Sequence, residues 1–195
     1  MIFEVSQEEL SRIFGAEHLH RVPGRTAQEA GFSGEALAHL TEVGLPDNPF
    51  ISFPTLDGAP HPEFRPVVSE ETSACWELPT GTAHWVFLGN FEISAIAADT
   101  RTGEIFQFTE GIMRPIPLHG DLSSLVHTIM ELTKVAAILH EHDGDDDDEF
   151  LDALGNNLDA ARCRISLRDP RPFADERSEW VDIAIHIGAG SWGPG

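Results

Sequence analysis

Carboxylates are the side chains best suited to chemistry in this chain, and they concentrate in residues 141–152. Eight of these twelve residues are Asp or Glu. The first three ligand positions of a calcium-binding EF-hand loop are matched by Asp143, Asp145 and Asp147. The match then fails, because Asp148 stands where the loop needs Gly and Leu154 where it needs Glu. We therefore predict that the protein needs no metal ion and no other cofactor.

The same segment suits a basic protein partner better than a metal ion. Its five consecutive acids are Asp145, Asp146, Asp147, Asp148 and Glu149. No Lys or Arg lies between Lys134 and Arg162 to neutralise them locally. We predict that these five residues contact the partner and raise the association rate, since opposite charges steer the encounter of two proteins. The alternative is a solvated loop that only keeps the protein soluble, as most charge runs do.

The other candidates for catalysis or metal binding form no complete pattern. Histidines spaced two residues apart occur twice, as His18/His20 and His140/His142. On a helix this spacing places them on different faces, so we predict solvated histidines and no metal site. The cysteines Cys75 and Cys163 fit no metal or redox spacing and are expected to be buried free thiols. Because no nucleophile, base or ligand motif is complete, we predict that the protein is not an enzyme.

A β-sheet is predicted in the middle of the chain. Strand-like runs rich in Ile and Phe predict three adjacent antiparallel strands, over residues 84–88, 93–98 and 103–108. A short polar connection joins the last two strands, and it closes with Gly103, which can adopt the positive φ of a tight loop. Shorter strands are predicted at residues 50–53 and within 111–118, where prolines limit their length.

Helices are predicted before and after these strands in the chain, because apolar residues recur there every three or four positions. They cover residues 6–14, 33–43, 121–140, about 148–164, and 175–187, and a strand remains an alternative for the last. The expected N-caps include Ser6, Ser33 and Asp121, and Gly44 followed by Pro46 ends the second helix. Residues 19–25 are predicted to be irregular.

Composition predicts one domain over residues 1–195, with an acidic loop near residues 141–149 and a frayed C-terminal end. The 33 Asp and Glu residues exceed the 12 Lys and Arg residues, which gives a formal net charge of -21. So negative a chain repels nucleic acid and anionic membranes, and we predict neither as a direct partner. No signal peptide and no stretch of about 18 apolar residues is evident, so we predict a cytoplasmic protein.

Four short motifs follow one another along the chain. The second predicted helix ends in Gly44-Leu45-Pro46, and the strand region combines Leu88-Gly89, Asp99, Thr102-Gly103 and Ile105. The helix after the sheet starts with Asp121 and Ser123-Ser124, and the last motif pairs Asp169-Pro170 with Trp180. In this order the motifs resemble the SUKH superfamily, in particular its fourth subgroup of bacterial immunity proteins. Asp121 replaces the Asn usual there, and the acid run departs from the family pattern.

The resemblance implies an α+β fold in which helices flank a central antiparallel sheet. It also implies a non-catalytic immunity protein that binds and neutralises a cognate polymorphic toxin. Many partner toxins of the superfamily are nucleases or nucleic-acid deaminases, so the implied partner is a protein toxin with a basic binding surface, onto which an acidic surface is steered. One alternative is an intracellular scaffold or regulator of the same fold that binds a protein or peptide. A third hypothesis is an unrecognised hydrolase.

Overall fold

Six strands and six helices are present in the described residues, which are 1–53, 64–69, 75–142 and 148–192 of the computed structural model. The strands are β1 (Leu19–His20), β2 (Leu45–Pro46), β3 (Trp85–Asn90), β4 (Ser94–Asp99), β5 (Ile105–Thr109) and β6 (Ile116–His119). The helices are α1 (Gln7–Phe14), α2 (Gly24–Glu29), α3 (Gly34–Ala38), α4 (Leu122–Glu141), α5 (Asp148–Ser166) and α6 (Glu179–Gly188). The α+β fold implied by the resemblance is therefore confirmed.

The central sheet is antiparallel and has the strand order β3-β4-β5-β6. Strands β3 to β5 are the three that hydrophobic alternation predicts, and β6 is the short strand expected within residues 111–118. Residues 50–53 contribute one isolated bridge, between Ser52 and Asn90 at the edge of β3. Each strand pairs with its sequence neighbour, so short connections suffice to build the sheet.

The loop between β4 and β5 has the geometry that its sequence predicts. Gly103 adopts a φ of 78°, in the left-handed region that a β-branched residue resists. Its N–H donates to the carbonyl of Asp99 at 2.8 Å, and the Asp99 side chain accepts from the backbone N–H of Arg101 at 2.8 Å. The aspartate therefore organises the turn that the glycine closes.

Helix boundaries largely follow the predicted caps. The Ser6 hydroxyl accepts from the N–H of Glu9 at 3.2 Å, and the Asp121 carboxylate accepts from the N–H of Ser124 at 2.9 Å. Ser33 occupies the N-cap position of α3, but its side chain makes no capping hydrogen bond. The helix predicted over residues 175–187 is α6, which begins four residues later than expected, at Glu179. The alternative of a strand was wrong.

Two segments differ from the sequence prediction. Residues 19–25 are irregular only over residues 21–23, since β1 pairs with β2 and α2 begins at Gly24. Neither element is long enough to show a hydrophobic period, and β1 is stabilised by pairing with a segment more than 20 residues away. The second predicted helix is α3 followed by one π-helical turn, His39–Val43, which ends at Gly44.

Apolar side chains cover both faces of the central sheet. The face toward the helices belongs to the main core, which includes Leu88, Ile96, Ile105, Leu125 and Trp180. On the opposite face Trp85 stacks on Phe106 with 3.8 Å between ring centroids, within a second buried cluster. Ile96 and its neighbour Ala97 belong to different clusters, because successive residues of a strand point to opposite faces.

Helix α4 is the central helix of the main core. Its residues Leu122–His140 are long and apolar enough to cross a membrane by length and composition, with a mean hydropathy of 1.4. The window also contains polar residues such as Glu131 and Lys134, so it is not an unbroken run of about 18 apolar residues. In the fold 67% of that window is buried inside the protein, as in the core helix of a globular domain, so the apolarity of α4 is explained by packing.

Candidate functional site

The structure describes two of the five acids that the sequence nominates for partner binding. Asp148 and Glu149 are exposed in the first turn of α5, where the positive end of the helix dipole stabilises carboxylates. Asp145, Asp146 and Asp147 lie outside the described residues. Of the acidic loop predicted near residues 141–149, residues 141, 148 and 149 belong to helices, since α4 extends to residue 141 and α5 begins at residue 148. Partner binding by this segment stays a prediction.

The first histidine pair shares one carboxylate. His18 is exposed, in line with the prediction of solvated histidines, whereas His20 is half-buried. His18 is the last residue of a short 3-10 helix (Ala16–His18) and His20 lies in β1, so the face rule for an α-helix does not apply to this pair. The Nδ1 atom of His18 is 3.2 Å from Oδ2 of Asp47, and Nε2 of His20 bonds Oδ1 of the same residue. Partial burial raises the pKa of Asp47, but these hydrogen bonds outweigh it and hold the pKa below its usual value.

The second histidine pair and the cysteines are not part of a metal-binding cluster among the residues that the structure describes. His142 stacks on Phe150 with 3.7 Å between ring centroids. Cys75 and Cys163 are free and exposed, so the expectation of buried thiols was wrong. Cys163 is off the inward stripe of α5, which consists of Leu154, Leu158, Ala161 and Ile165. Within the described ranges, no group of three or more His, Cys, Asp or Glu side chains could hold a metal ion.

A buried chain of hydrogen bonds connects residues from three parts of the sequence. The indole Nε1–H of Trp180 donates to Nε2 of His119 at 2.8 Å. Nδ1 of His119 lies 3.1 Å from the Ser124 hydroxyl, which donates to Oδ2 of Asp169 at 2.6 Å. All four side chains are excluded from solvent, the most exposed being Asp169 at 2%. The network joins β6, α4, α6 and the segment that precedes α6.

The order of donors in this network fixes the protonation of His119. Because Nε2 accepts from Trp180, the proton of the neutral imidazole is on Nδ1 and is donated to Ser124. Burial lowers the pKa of His119 to about 3, which keeps the ring neutral. Asp169 also accepts from the backbone N–H groups of Gly120 at 2.7 Å and Arg171 at 3.2 Å. Every polar atom along the chain is thus paired.

Ser124, His119 and Asp169 do not form a catalytic triad, although their residue types match one. In a triad the histidine stands between the nucleophile and the carboxylate, whereas here the serine stands between the other two. The serine is 0% exposed, so no substrate can reach it. The arrangement connects β6, α4, α6 and the segment before α6. Sequence motifs single out Ser124, Asp169 and Trp180, but His119 belongs to no motif and was missed.

The aspartate that replaces the usual Asn at the start of α4 uses both of its carboxylate oxygens. Oδ1 of Asp121 accepts from the Ser123 hydroxyl at 2.6 Å and from the N–H of Ser124 at 2.9 Å. Oδ2 accepts from the N–H of Ile2 at 2.6 Å. An Asn has only one acceptor oxygen, so the carboxylate is what allows this cap to bind the N-terminal segment as well.

A second buried histidine lacks partners. His39 is 1% exposed, and neither ring nitrogen has a hydrogen-bond partner among the described residues. Burial lowers its pKa to about 4, although the charge of Asp121 opposes this shift. The ring is therefore neutral at pH 7, and its protonation disfavours the folded state.

A groove opens on the surface where the tip of the β3–β4 hairpin meets α6. Its volume is about 710 Å³, and its walls come from residues 48–52, 90–93, 179–186 and Trp192. The apolar part contains Phe50, Phe91 and Ile183, while Glu92, Glu179 and Asp182 supply three carboxylates. Sequence reasoning did not find this site, because its walls come from segments that only the folded chain brings together.

Comparison with known protein families gives a match over most of the chain. The family model described as SUKH-4 immunity protein matches residues 5–186. This range includes the hairpin, the buried network from His119 to Trp180 and nearly all of the groove. No curated protein and no solved structure matches the chain.

Proposed function

The chain belongs to the SUKH-4 immunity protein family. We propose that it binds a cognate toxin that acts on nucleic acid, and that this binding neutralises the toxin. The family supplies the immunity role. The target class rests on charge, because the net charge of -21 repels nucleic acid and attracts the basic surface that binds it. An acidic immunity protein can therefore occupy the place of the nucleic acid on the toxin.

We propose that neutralisation is a binding event without catalysis and takes place in the cytoplasm. The only Ser–His–Asp cluster that we find in the described residues is sealed from solvent, which supports a structural role for it. The cytoplasm is where nucleic acid has to be protected. A directly bound nucleic acid or membrane has no place in this proposal, since the negative surface repels both.

The experiment that tests the proposal uses the toxin domain encoded beside this gene. The purified chain is titrated into that domain, and binding and the activity of the toxin on DNA and RNA are measured together. We expect a stoichiometric complex and loss of toxin activity. A toxin that neither binds the chain nor loses activity would refute the proposal, and a toxin that is bound but acts on another substrate would refute the nucleic-acid target.

The acid run has its own test within this proposal. Replacing Asp145, Asp146, Asp147 and Asp148 by Asn should slow association with the toxin and leave the melting temperature nearly unchanged. Raising salt should then slow the natural protein more than the variant, because screening acts on charges that the variant lacks. Association kinetics at two salt concentrations measure both effects. Equal rates and equal salt dependence would reduce the run to a solubility feature.

A further inference from the structure

We propose that the groove beside α6 receives an arginine-bearing loop of the toxin, whose guanidinium binds its carboxylates and whose neighbouring apolar side chain covers Ile93. This inference rests on the proposed function and adds where on the chain the toxin binds. It places the contact on Glu92, Ile93 and Asp182, apart from the acid run.

A large apolar side chain is exposed to solvent at the edge of the groove. Ile93, at the tip of the β3–β4 hairpin, is 67% exposed although it borders the groove. Behind it Phe91 is buried, and Trp192 packs on Phe50 with 5.2 Å between ring centroids. The indole N–H of Trp192 is buried and has no hydrogen-bond partner among the described residues. An apolar wall with an exposed edge is typical of a protein-binding surface.

Carboxylates dominate the charge at the groove, whose only other titratable lining residue among those described is His186. Among the described residues that line it there is no Lys and no Arg, whereas Glu92, Glu179 and Asp182 are all present. Glu179 is held in place, since its carboxylate accepts from the Ser94 hydroxyl at 2.6 Å and its N–H donates to the Gln107 side chain at 3.0 Å. Burial raises the pKa of Glu179, and the charges of Asp182 and Glu92 raise it further.

An arginine fits this combination best. A cation placed among three carboxylates relieves their mutual repulsion, and a guanidinium donates from a planar fork that matches carboxylate oxygens. Its flat face can also rest against an aromatic wall such as Trp192. A small anionic or neutral ligand would leave the exposed carboxylates of Glu92 and Asp182 without a cationic partner. The basic surface expected of a toxin that binds nucleic acid supplies such arginines.

The test compares two pairs of substitutions that change the same charge. Glu92 and Asp182 are exposed, so Glu92→Gln with Asp182→Asn leaves folding intact. The matched control is Asp152→Asn with Asp159→Asn, on the exposed side of α5 and outside the groove. We expect the groove variant to weaken binding to the neighbouring toxin domain at least tenfold, and the control variant less than threefold.

A second pair of variants tests the apolar contact. Ile93→Ser should weaken binding by about fivefold or more, while Leu167→Ser, at a residue 86% exposed and outside the groove, should have no effect. For the charge contact, Asp182→Lys should abolish binding, and one Arg→Asp substitution in the toxin should restore it. Such a restoration identifies the arginine.

The outcomes separate this inference from the function on which it rests. If the natural chain binds and the groove variant binds as tightly as the control variant, the inference is overturned while the immunity role stands. Equal losses in both variants also overturn it, because net charge and not the groove would then govern affinity. If the natural chain itself does not bind the toxin, the proposed function fails and this inference fails with it.

Discussion

Replacing Ser124 by Ala tests the buried network more directly than any other substitution. The change removes one hydroxyl from a fully buried position and leaves the volume nearly unaltered. Two partners are affected, since the hydroxyl accepts from His119 and donates to Asp169. The substitution should therefore report the energy of the hydrogen bonds with little contribution from a cavity.

The magnitude follows from what each partner keeps. Nδ1–H of His119 loses its acceptor, and an unpaired buried donor costs about 1–3 kcal/mol. Asp169 loses one donor but keeps the backbone N–H groups of Gly120 and Arg171, which limits its loss to about 1 kcal/mol. We expect a total of about 3 kcal/mol, a large part of the ~5–15 kcal/mol by which domains are stable.

The assay is urea unfolding at pH 7, and Thr128→Val is the matched control. Thr128 is buried one turn further along α4, and its hydroxyl has no hydrogen-bond partner among the described residues. Exchanging that hydroxyl for a methyl group should change the free energy of unfolding by less than about 0.5 kcal/mol, or increase it. A loss below about 1 kcal/mol for Ser124→Ala, or equal losses for the two variants, would refute the network as described.

Further predictions concern the backbone, pH and metal ions. Gly103→Val should lower the free energy of unfolding by about 2 kcal/mol, because the φ of 78° is strained for a β-branched residue; an unchanged melting midpoint would contradict this. Gly155→Ala in α5 should instead raise it by about 0.5–1 kcal/mol, since an added Cβ meets nothing within 4 Å; denaturant unfolding decides the sign. Burial lowers the pKa of His39 to about 4 and that of His119 to about 3, so between pH 6.5 and pH 4 the unfolded chain binds protons that the folded chain does not. Stability should fall over this interval by about 3 kcal/mol for each histidine, and His39→Leu should remove one such share; an identical pH dependence in the variant would exclude His39. A strong chelator should leave the melting temperature unchanged, and a large drop would revive the calcium interpretation of the acid run.

Local sequence patterns predicted most of the secondary structure. The period of apolar residues identified α4 and α5, and alternation with a closing Gly103 identified the hairpin of β4 and β5. These patterns extend over neighbouring residues of one segment, so the secondary structure of that segment can be predicted without the tertiary structure. Where the elements were too short for a period, as in β1 and α2, the prediction failed.

The net charge and the order of the family motifs also came from sequence alone, because neither depends on contacts. The position of His119 between Trp180 and Ser124 did not, since it requires β6, α4 and α6 to pack together. Burial in that packing, and not residue type, makes a Ser–His–Asp combination structural. The groove likewise needs the hairpin tip, residues 48–52 and α6 at one place on the surface. Contacts between residues far apart in the chain leave no period in its sequence, so only the tertiary structure decides them.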